Sequence, residues 1–399
     1  MTHDAADRTR SQPSRVLVVG GDLSYLLRFR EHLLRSLTAA GHQVVVVTPD
    51  HDPEPQRLAA IGASYQRVPF RTTGMNPLRD ARDLLTMLRL QRRWRPDLVF
   101  AYGAKAAIVA LAAAMLVGVR RRYAMLPGLG FAFVEDGRRS RARVVARAAQ
   151  TAAFRLLLRP CRRVILHNDD DRRELVRRGI LRPERTAVVG GSGVDLEHFR
   201  ASPVPTDPVR FLFVGRLLRS KGVEELVVAA HALRTEVGNA EVHLVGAADA
   251  NPDHVDTELL DAAAARGDIV RHGHVADVRP HLQSCSAFVL PSYREGLPRS
   301  ALEAMACGRT AIVTDVPGCR EVVRVGVHGA LVPARDSAAL ARTLITYARD
   351  PARLIAEGRS ARATAEQVFD VRQVTLEMLR LLDLGGDTQT GSDSDAHVG

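Results

Sequence analysis

The chain has 399 residues, 46% apolar and 25% charged, which suits two globular domains and excludes a fibrous or wholly disordered protein. Its formal net charge of +11 is uneven: residues 1–200 carry 35 basic and 19 acidic side chains, residues 201–399 carry 21 and 26. That asymmetry fits a polyanionic surface facing the first half alone, with nucleic acid and an anionic membrane as the two candidates.

Met1 to Ser14 is polar and lacks an apolar signal core, so secretion is not expected. Arg15 to Val19 reads as a buried strand ending in Gly20-Gly21, and Leu23 to Ala40 has helical periodicity that stops at Gly41. Gln43 to Thr48 is a second strand. Leu78 to Arg93 reads as an amphipathic helix, followed by a strand from Leu98 to Tyr102, a helix from Ala106 to Leu116 and a strand from Arg122 to Leu126. The apolar run from Ala106 to Val119 falls short of the roughly 20 residues a membrane span needs, so it reads as a core helix. This alternation predicts an α/β protein with a parallel sheet covered on both faces.

A proline-rich linker, Ala201 to Pro208, opens a second series. Its strands are expected at Arg210 to Val214, Glu241 to Val245, Ile269 to His272, Ala287 to Leu290, Thr310 to Val313 and Ala330 to Val332, with helices at Val223 to Thr235 and Ser300 to Ala306. The predicted organisation is an N-terminal tail (1–14), a first doubly wound domain (15–200), a second (201–384) whose last helix packs back on the first, and a disordered tail (385–399). In open α/β sheets the ligand lies at the carboxyl ends of the strands, so the site is expected in the cleft between the domains. Cys161, Cys285, Cys307 and Cys319 lie far apart with no Cys-x-x-Cys pair, as in a reduced, cytosolic protein.

Only two of the 56 basic residues are lysines, Lys105 and Lys221. Lys221 follows an apolar strand in Gly215-Arg216-Leu217-Leu218-Arg219-Ser220-Lys221-Gly222, where Arg216 and Lys221 would hold a diphosphate between two fixed cations. The alternative is an incidental surface lysine beside a helix start. In Pro291 to Met305, Pro298 suits the first turn of a helix whose amides point at a phosphate or sugar oxygen. Glu295 precedes that helix and Glu303 lies one to two turns along it. Two carboxylates around a cationic pair suit a sugar nucleotide, one gripping ribose hydroxyls and the other the sugar ring. Alone, the glutamates could equally cap and solubilise the helix.

With these segments, Tyr102 to Ile108, Pro127 to Phe131, Gly191 to Asp195 and Thr314 to Glu321, the sequence resembles the retaining family-4 glycosyltransferases of the GT-B fold from about Arg15 to about residue 380. Within that family it is similar to the capsular and lipid-linked polysaccharide branch. The resemblance implies that Arg216 and Lys221 hold the donor diphosphate and stabilise the leaving group. It likewise implies that Glu303 binds the ribose and that Glu295 lies near the donor sugar. Gly296 and Leu297 would supply backbone contacts to the donor, Gly20 and Gly21 the glycine loop near the reaction centre, and Lys105 and Gly128 the acceptor side. Many members carry a histidine just before that last glycine. Here the residue is Pro127, so a histidine-assisted step is not assumed.

Arg138 to Arg163 contains nine arginines and no acid, interleaved with Val144, Val145, Phe154, Leu156, Leu157 and Leu158. It is expected to dock on an anionic membrane surface, at roughly 1 kcal/mol per arginine near the surface. An arginine-rich solvated face is the alternative. Nucleic acid is not expected, because aromatic residues are only 5% and no stacking platform is visible. Asp169-Asp170-Asp171 reads as charge at a helix N-terminus, and no metal or other cofactor is expected.

The combined expectation is a transferase, cytoplasmic and peripheral on the inner face of the membrane. It would move a hexose or N-acetylhexosamine from a UDP-linked sugar nucleotide to a polyprenyl-diphosphate-linked sugar acceptor. A UDP-sugar epimerase of the same architecture and a non-catalytic basic binding protein are the rivals.

Overall fold

Short runs such as Val16-Leu17-Val18-Val19 and Phe288-Val289-Leu290 are apolar on both faces, as a strand covered by helices on both sides requires. In the computed structural model, which describes residues 13–49, 55–70, 77–129, 141–247 and 253–385, they form two parallel sheets.

The first unit contains β1 (Arg15–Gly20), α1 (Leu23–Ala39), β2 (Gln43–Thr48), α2 (Pro55–Ile61), β3 (Ser64–Arg67), α3 (Pro77–Trp94) and β4 (Leu98–Tyr102). It continues with α4 (Ala104–Val117), β5 (Arg121–Leu126), α5 (Arg141–Leu158), β6 (Arg163–Leu166), α6 (Asp169–Arg177) and β7 (Thr186–Val188). Its strand order is β3-β2-β1-β4-β5-β6-β7. Asp22 caps α1 by accepting from the Tyr25 amide at 2.6 Å. The buried stripe of α1 runs Leu23, Leu26, Leu27, Arg30, Leu33, Leu34, Leu37. An arginine thus occupies an apolar position. Helix α4 is buried among its neighbours, and no described helix is long and apolar enough to cross a membrane.

The second unit contains β8 (Val209–Val214), α7 (Val223–Val237), β9 (Ala240–Val245), α8 (Thr257–Ala265), β10 (Val270–Gly273) and α9 (Arg279–Ser284). After these come β11 (Ala287–Leu290), α10 (Arg299–Ala306), β12 (Thr310–Thr314), β13 (Gly329–Val332), α11 (Ser337–Ala348), α12 (Pro351–Val368) and α13 (Val371–Leu381). Its order is β10-β9-β8-β11-β12-β13. Strand β10 lies one residue later than the sequence predicts, beside a register shift between Arg271 and Gly273.

Two chain crossings join the units side by side. The Val194 amide donates to Phe369 O at 2.7 Å and the Val371 amide to Val194 O at 3.0 Å. Beyond them α13 returns to the first unit, where Val374, Met378, Leu382 and Leu384 are buried in the core beneath α1. Each contributes roughly 2 kcal/mol by leaving water.

Three expectations need correction. Ser14, placed in the N-terminal tail, accepts from the Gln43 amide at 3.0 Å and so extends the β1–β2 ladder. Gly385, placed in the C-terminal tail, donates to Leu379 O at 3.1 Å as part of the end of α13. Within the stretch from Arg138 to Arg163 expected to face a membrane, α5 ends at Leu158, and Phe154, Leu157 and Leu158 face the core rather than a lipid surface. Leu156 points outward, and Arg162 pairs with Asp383 at 3.0 Å. Residues 130–140, including Gly130, Phe131 and Arg138, lie outside the described residues, as do residues 1–12 and 386–399 and the side chains of Val144 and Val145.

Candidate active site

The carboxyl ends of the two sheets meet. Pro127 follows β5, Asn168 follows β6, and the loop from Pro291 to Pro298 follows β11. A Cβ on Gly296 would stand 1.7 Å from Pro127 O and 3.7 Å from the Gly128 amide, so only glycine permits this approach. Asn168 Nδ2 donates to Gly296 O at 2.7 Å from the other side. Leu297 packs over Gly191. Gly296, Leu297 and Gly128 are thereby together at the junction, in the space between the two sheets.

Lys221 ends a short 3-10 turn, Arg219–Lys221, after β8. The next residue, Gly222, has φ +70°, and a Cβ there would stand 2.0 Å from Pro291 O. This left-handed glycine brings the β8 loop against the β11 loop, and Lys221 Nζ pairs with Glu295 Oε1. Ser292 Oγ donates to the same carboxylate oxygen at 2.7 Å. Both partners are partly open to the cleft, at 23% and 13% side-chain exposure. Arg216 lies exposed just past β8.

Glu303 lies in α10, whose first residue is Arg299, one turn before it. Arg299 Nε donates to Glu303 Oε1 at 2.9 Å, and Arg299 Nη1 donates to Arg28 O of α1 at 2.5 Å. Burial raises the Glu303 carboxyl above the usual range, while Arg299 and Arg28 oppose that rise. Arg28, Phe29 and Arg299 line a cavity of about 520 Å³ that also reaches Ser192, Gly193 and Asp195.

On the first-domain side, Gly20 ends β1 and Gly21 follows it. Beside them, the Tyr25 ring of α1 lies 6.1 Å from the Tyr102 ring at the end of β4. Arg30 is 3% exposed and lies 5.2 Å from the centre of the Tyr102 ring. It donates to Gly191 O and meets His167 Nε2 at 3.0 Å. Burial and the Arg30 charge hold His167 well below its ordinary value, so its ring is neutral and accepts that bond. Lys105 opens α4 and pairs with Asp80 of α3 at 2.8 Å.

The aspartate run at the start of α6 does more than complement a helix dipole. Asn168 caps the helix, and the acids then reach the second domain. Asp171, 2% exposed at its side chain, pairs with Arg294, and Asp170 pairs with Arg320 at 3.0 Å. Glu321 Oε1 accepts from the Asp169 amide at 2.9 Å. Reading the sequence did not find this bridge, nor Arg299, Tyr25, Arg30 and His167. The visible signal for Arg30 is its place in the leucine stripe of α1.

Comparison with known proteins agrees with this architecture. Residues 27–191 match the family described as glycosyl transferase 4-like domain, and residues 208–350 match glycosyl transferases group 1. The chain is 25% identical over 371 residues to a Campylobacter jejuni N,N'-diacetylbacillosaminyl-diphospho-undecaprenol alpha-1,3-N-acetylgalactosaminyltransferase, covering 90% of this chain and 95% of that protein. It is 28% identical over 382 residues to a Mycobacterium tuberculosis glycogen synthase, covering 90% and 89%. Anabaena HepE in complex with UDP superposes with a TM-score of 0.74 at 19% identity, over 92% of this chain and 99% of that one. Two parallel α/β sheets facing each other across a cleft are the GT-B architecture. The two family matches fall one on each half of that architecture, and the chain therefore belongs to the GT-B glycosyltransferases, with a glycosyl transferase 4-like first domain and a group 1 second domain.

Proposed function

We propose that the chain transfers a hexose or N-acetylhexosamine, with retention of configuration, from a UDP-linked sugar nucleotide to a polyprenyl-diphosphate-linked sugar in polysaccharide biosynthesis. The observation that carries this reading is the Lys221–Glu295 pair at the junction of the two sheets, on the loop that follows β8 and also carries the exposed Arg216. Incoming diphosphate takes the place of the Glu295 carboxylate on Lys221, and Arg216 contributes the second cation. Glu303 grips the ribose, and Glu295, released from Lys221, faces the donor sugar. The C1–oxygen bond to the diphosphate breaks as the acceptor hydroxyl attacks from the same face, and its proton passes to a leaving diphosphate oxygen. Two cations aimed at the developing charge perform the electrostatic task, with no metal ion required.

The UDP complex of Anabaena HepE supports a UDP donor, and the Campylobacter relative's name supports a lipid-linked acceptor. Membrane contact has support on α3, whose outer surface carries exposed Leu78, Arg82, Leu85, Arg89 and Arg92 at helical spacing. Leu156 of α5 is exposed in the same helical layer. On this reading the enzyme works as a peripheral protein on the cytoplasmic face of the membrane.

A panel of UDP-hexoses and UDP-N-acetylhexosamines, assayed with a polyprenyl-diphosphate sugar, tests the reading. One donor should give a glycosylated lipid whose new linkage has the donor's anomeric configuration, at a rate unchanged by EDTA. Equal turnover with and without acceptor would favour an epimerase, and UDP affinity weaker than about 1 mM would favour a binding protein. Co-sedimentation with vesicles should require anionic lipid, weaken with salt and fall for Arg82→Glu/Arg89→Glu; binding to neutral vesicles alone would remove the membrane assignment.

A further inference from the structure

Arg299 stands where three interactions meet, and none belongs to the Lys221–Glu295 pair. Its Nε bonds Glu303 Oε1 at 2.9 Å along one turn of α10. Its Nη1 reaches across the cleft to Arg28 O at 2.5 Å, and its guanidinium lies 5.0 Å from the centre of the Phe29 ring. The side chain is thus fixed by α1 of the other domain while it holds a carboxylate of its own. Glu303 is 14% exposed at its side chain, and burial at that level penalises its charged form, a penalty the Arg299 charge offsets.

We propose that Arg299 is a positioning residue for the nucleotide, keeping the Glu303 carboxylate ionised and in the rotamer that accepts from ribose hydroxyls. This rests on the reading of Glu303 as the ribose-binding group. Arg299 engages Oε1 and leaves Oε2 to accept from a hydroxyl. A neutral carboxyl would turn one of its two acceptors into a donor. Among the described residues, the charged and titratable groups that act on Glu303 are few. Arg299 comes from its own helix and Arg28 from α1. Cys307 lies at the end of α10, its thiol pushed up to about 11 by burial and therefore neutral, and Arg362 of α12 lies beyond it. Arg299 is the cation with a direct bond to the carboxylate, and Arg28 acts from farther away.

The sign follows. Removing the Arg299 charge lets burial raise the Glu303 carboxyl further, so protonation, and with it loss of nucleotide grip, begins at higher pH. Titration calorimetry with UDP alone, between about pH 5.5 and pH 8, reads this without any transfer step. In the intact protein, UDP affinity should fall on the acid side. Arg299→Gln keeps hydrogen-bond donors but no charge; its acid limb should move to higher pH, with a loss of UDP affinity about tenfold larger at the acid end than at the alkaline end. Arg299→Lys keeps the cation and should leave the limb where the wild type has it, with only a uniform few-fold weakening. Glu303→Gln should weaken UDP at every pH and leave only the acid limb that UDP's own terminal phosphate, titrating at about pH 6, imposes. An unmoved limb in Arg299→Gln, or an equal displacement in Arg299→Lys, overturns the role of Arg299 while leaving Glu303 in place. Wild-type UDP affinity in Glu303→Gln would overturn both, and thereby identify the ribose assignment as the error.

Discussion

The two walls of the cleft handle charge in opposite ways. On the second-domain wall the ionisable groups are short, partly open pairs, Lys221 with Glu295 and Arg299 with Glu303. On the first-domain wall, Arg30 is buried, and among the described residues its hydrogen bonds go to Gly191 O and a neutral His167 rather than to a carboxylate. The Lys221–Glu295 pair exchanges its partner for a ligand, because the arriving anion replaces the charge it displaces, whereas Arg299 stays on Glu303 and leaves its second oxygen for the ligand. A buried cation held by a carbonyl, an imidazole and a phenol ring has no such exchange and serves as fixed scaffold. The donor should accordingly be gripped by the second wall, with the first wall fixing the shape into which it is carried.

The largest expected effect breaks that comparison at its centre. Lys221→Ala should lower turnover about a thousandfold, the scale for losing a group aimed at developing charge, while thermal unfolding shows the fold intact. Near-normal rates would mean that the Lys221–Glu295 pair is a loop staple and that the second wall holds the donor by other groups.

How much of this was open to sequence reading follows the same division. Lys221, Glu295 and Glu303 were legible because they sit at fixed offsets from glycine and proline on one continuous loop or helix start, where chemistry and spacing coincide. The two sheets were legible from their valine-rich runs, although β3, β6 and β7 were missed. β3 is a short, largely polar edge strand, and the other two lie at the far side of the same sheet. The three C-terminal helices carried Asp336, Asp350 and Asp370 as caps, a signal that was present and not used. What could not be read was pairing across the cleft. Asp171 and Arg294 are 123 residues apart, and nothing local to Asp169-Asp170-Asp171 says that two of those acids face the other domain. In the Arg138–Arg163 stretch, composition gave the charge but not which side of α5 is taken by the core, where Phe154, Leu157 and Leu158 lie.

That bridge supplies the second prediction, smaller in activity but large in stability. Arg294→Ala leaves Asp171 buried without its cation and should cost about 3 kcal/mol in chemical denaturation. Burial already holds the Asp171 carboxyl above the usual range against the opposing pull of Arg294, and the variant should raise it further. A raised carboxyl binds a proton in the folded state that the unfolded state has released, so the penalty is full above the raised folded-state value and shrinks as pH falls through it toward the unfolded value. The gap in Tm between wild type and Arg294→Ala should therefore narrow from about pH 7.5 to about pH 5. Asp171→Asn, which removes the charge, should show a smaller and flatter loss. A gap that widens on acidification would mean that the bridge is not held by the Asp171 charge.

The smallest expected effect concerns the other lysine, and it tests whether the first wall is truly scaffold. Lys105 opens α4 just after β4, and its ammonium bonds Asp80 at 2.8 Å in a half-buried pair, 14% and 30% exposed. A pair of this kind stabilises by about 1 kcal/mol once screening by solvent is allowed for. Lys105→Met, which keeps the stem and removes the charge, should lower Tm slightly and change turnover only a few-fold, with any change appearing in the KM for acceptor and none in that for donor. Asp80→Asn should then reproduce the Tm shift, because either substitution ends the same ion pair. A loss of turnover from Lys105→Met that approaches that of Lys221→Ala, with Asp80→Asn silent, would place a second exchangeable cation on the first wall. The division between gripping wall and shaping wall would then fail.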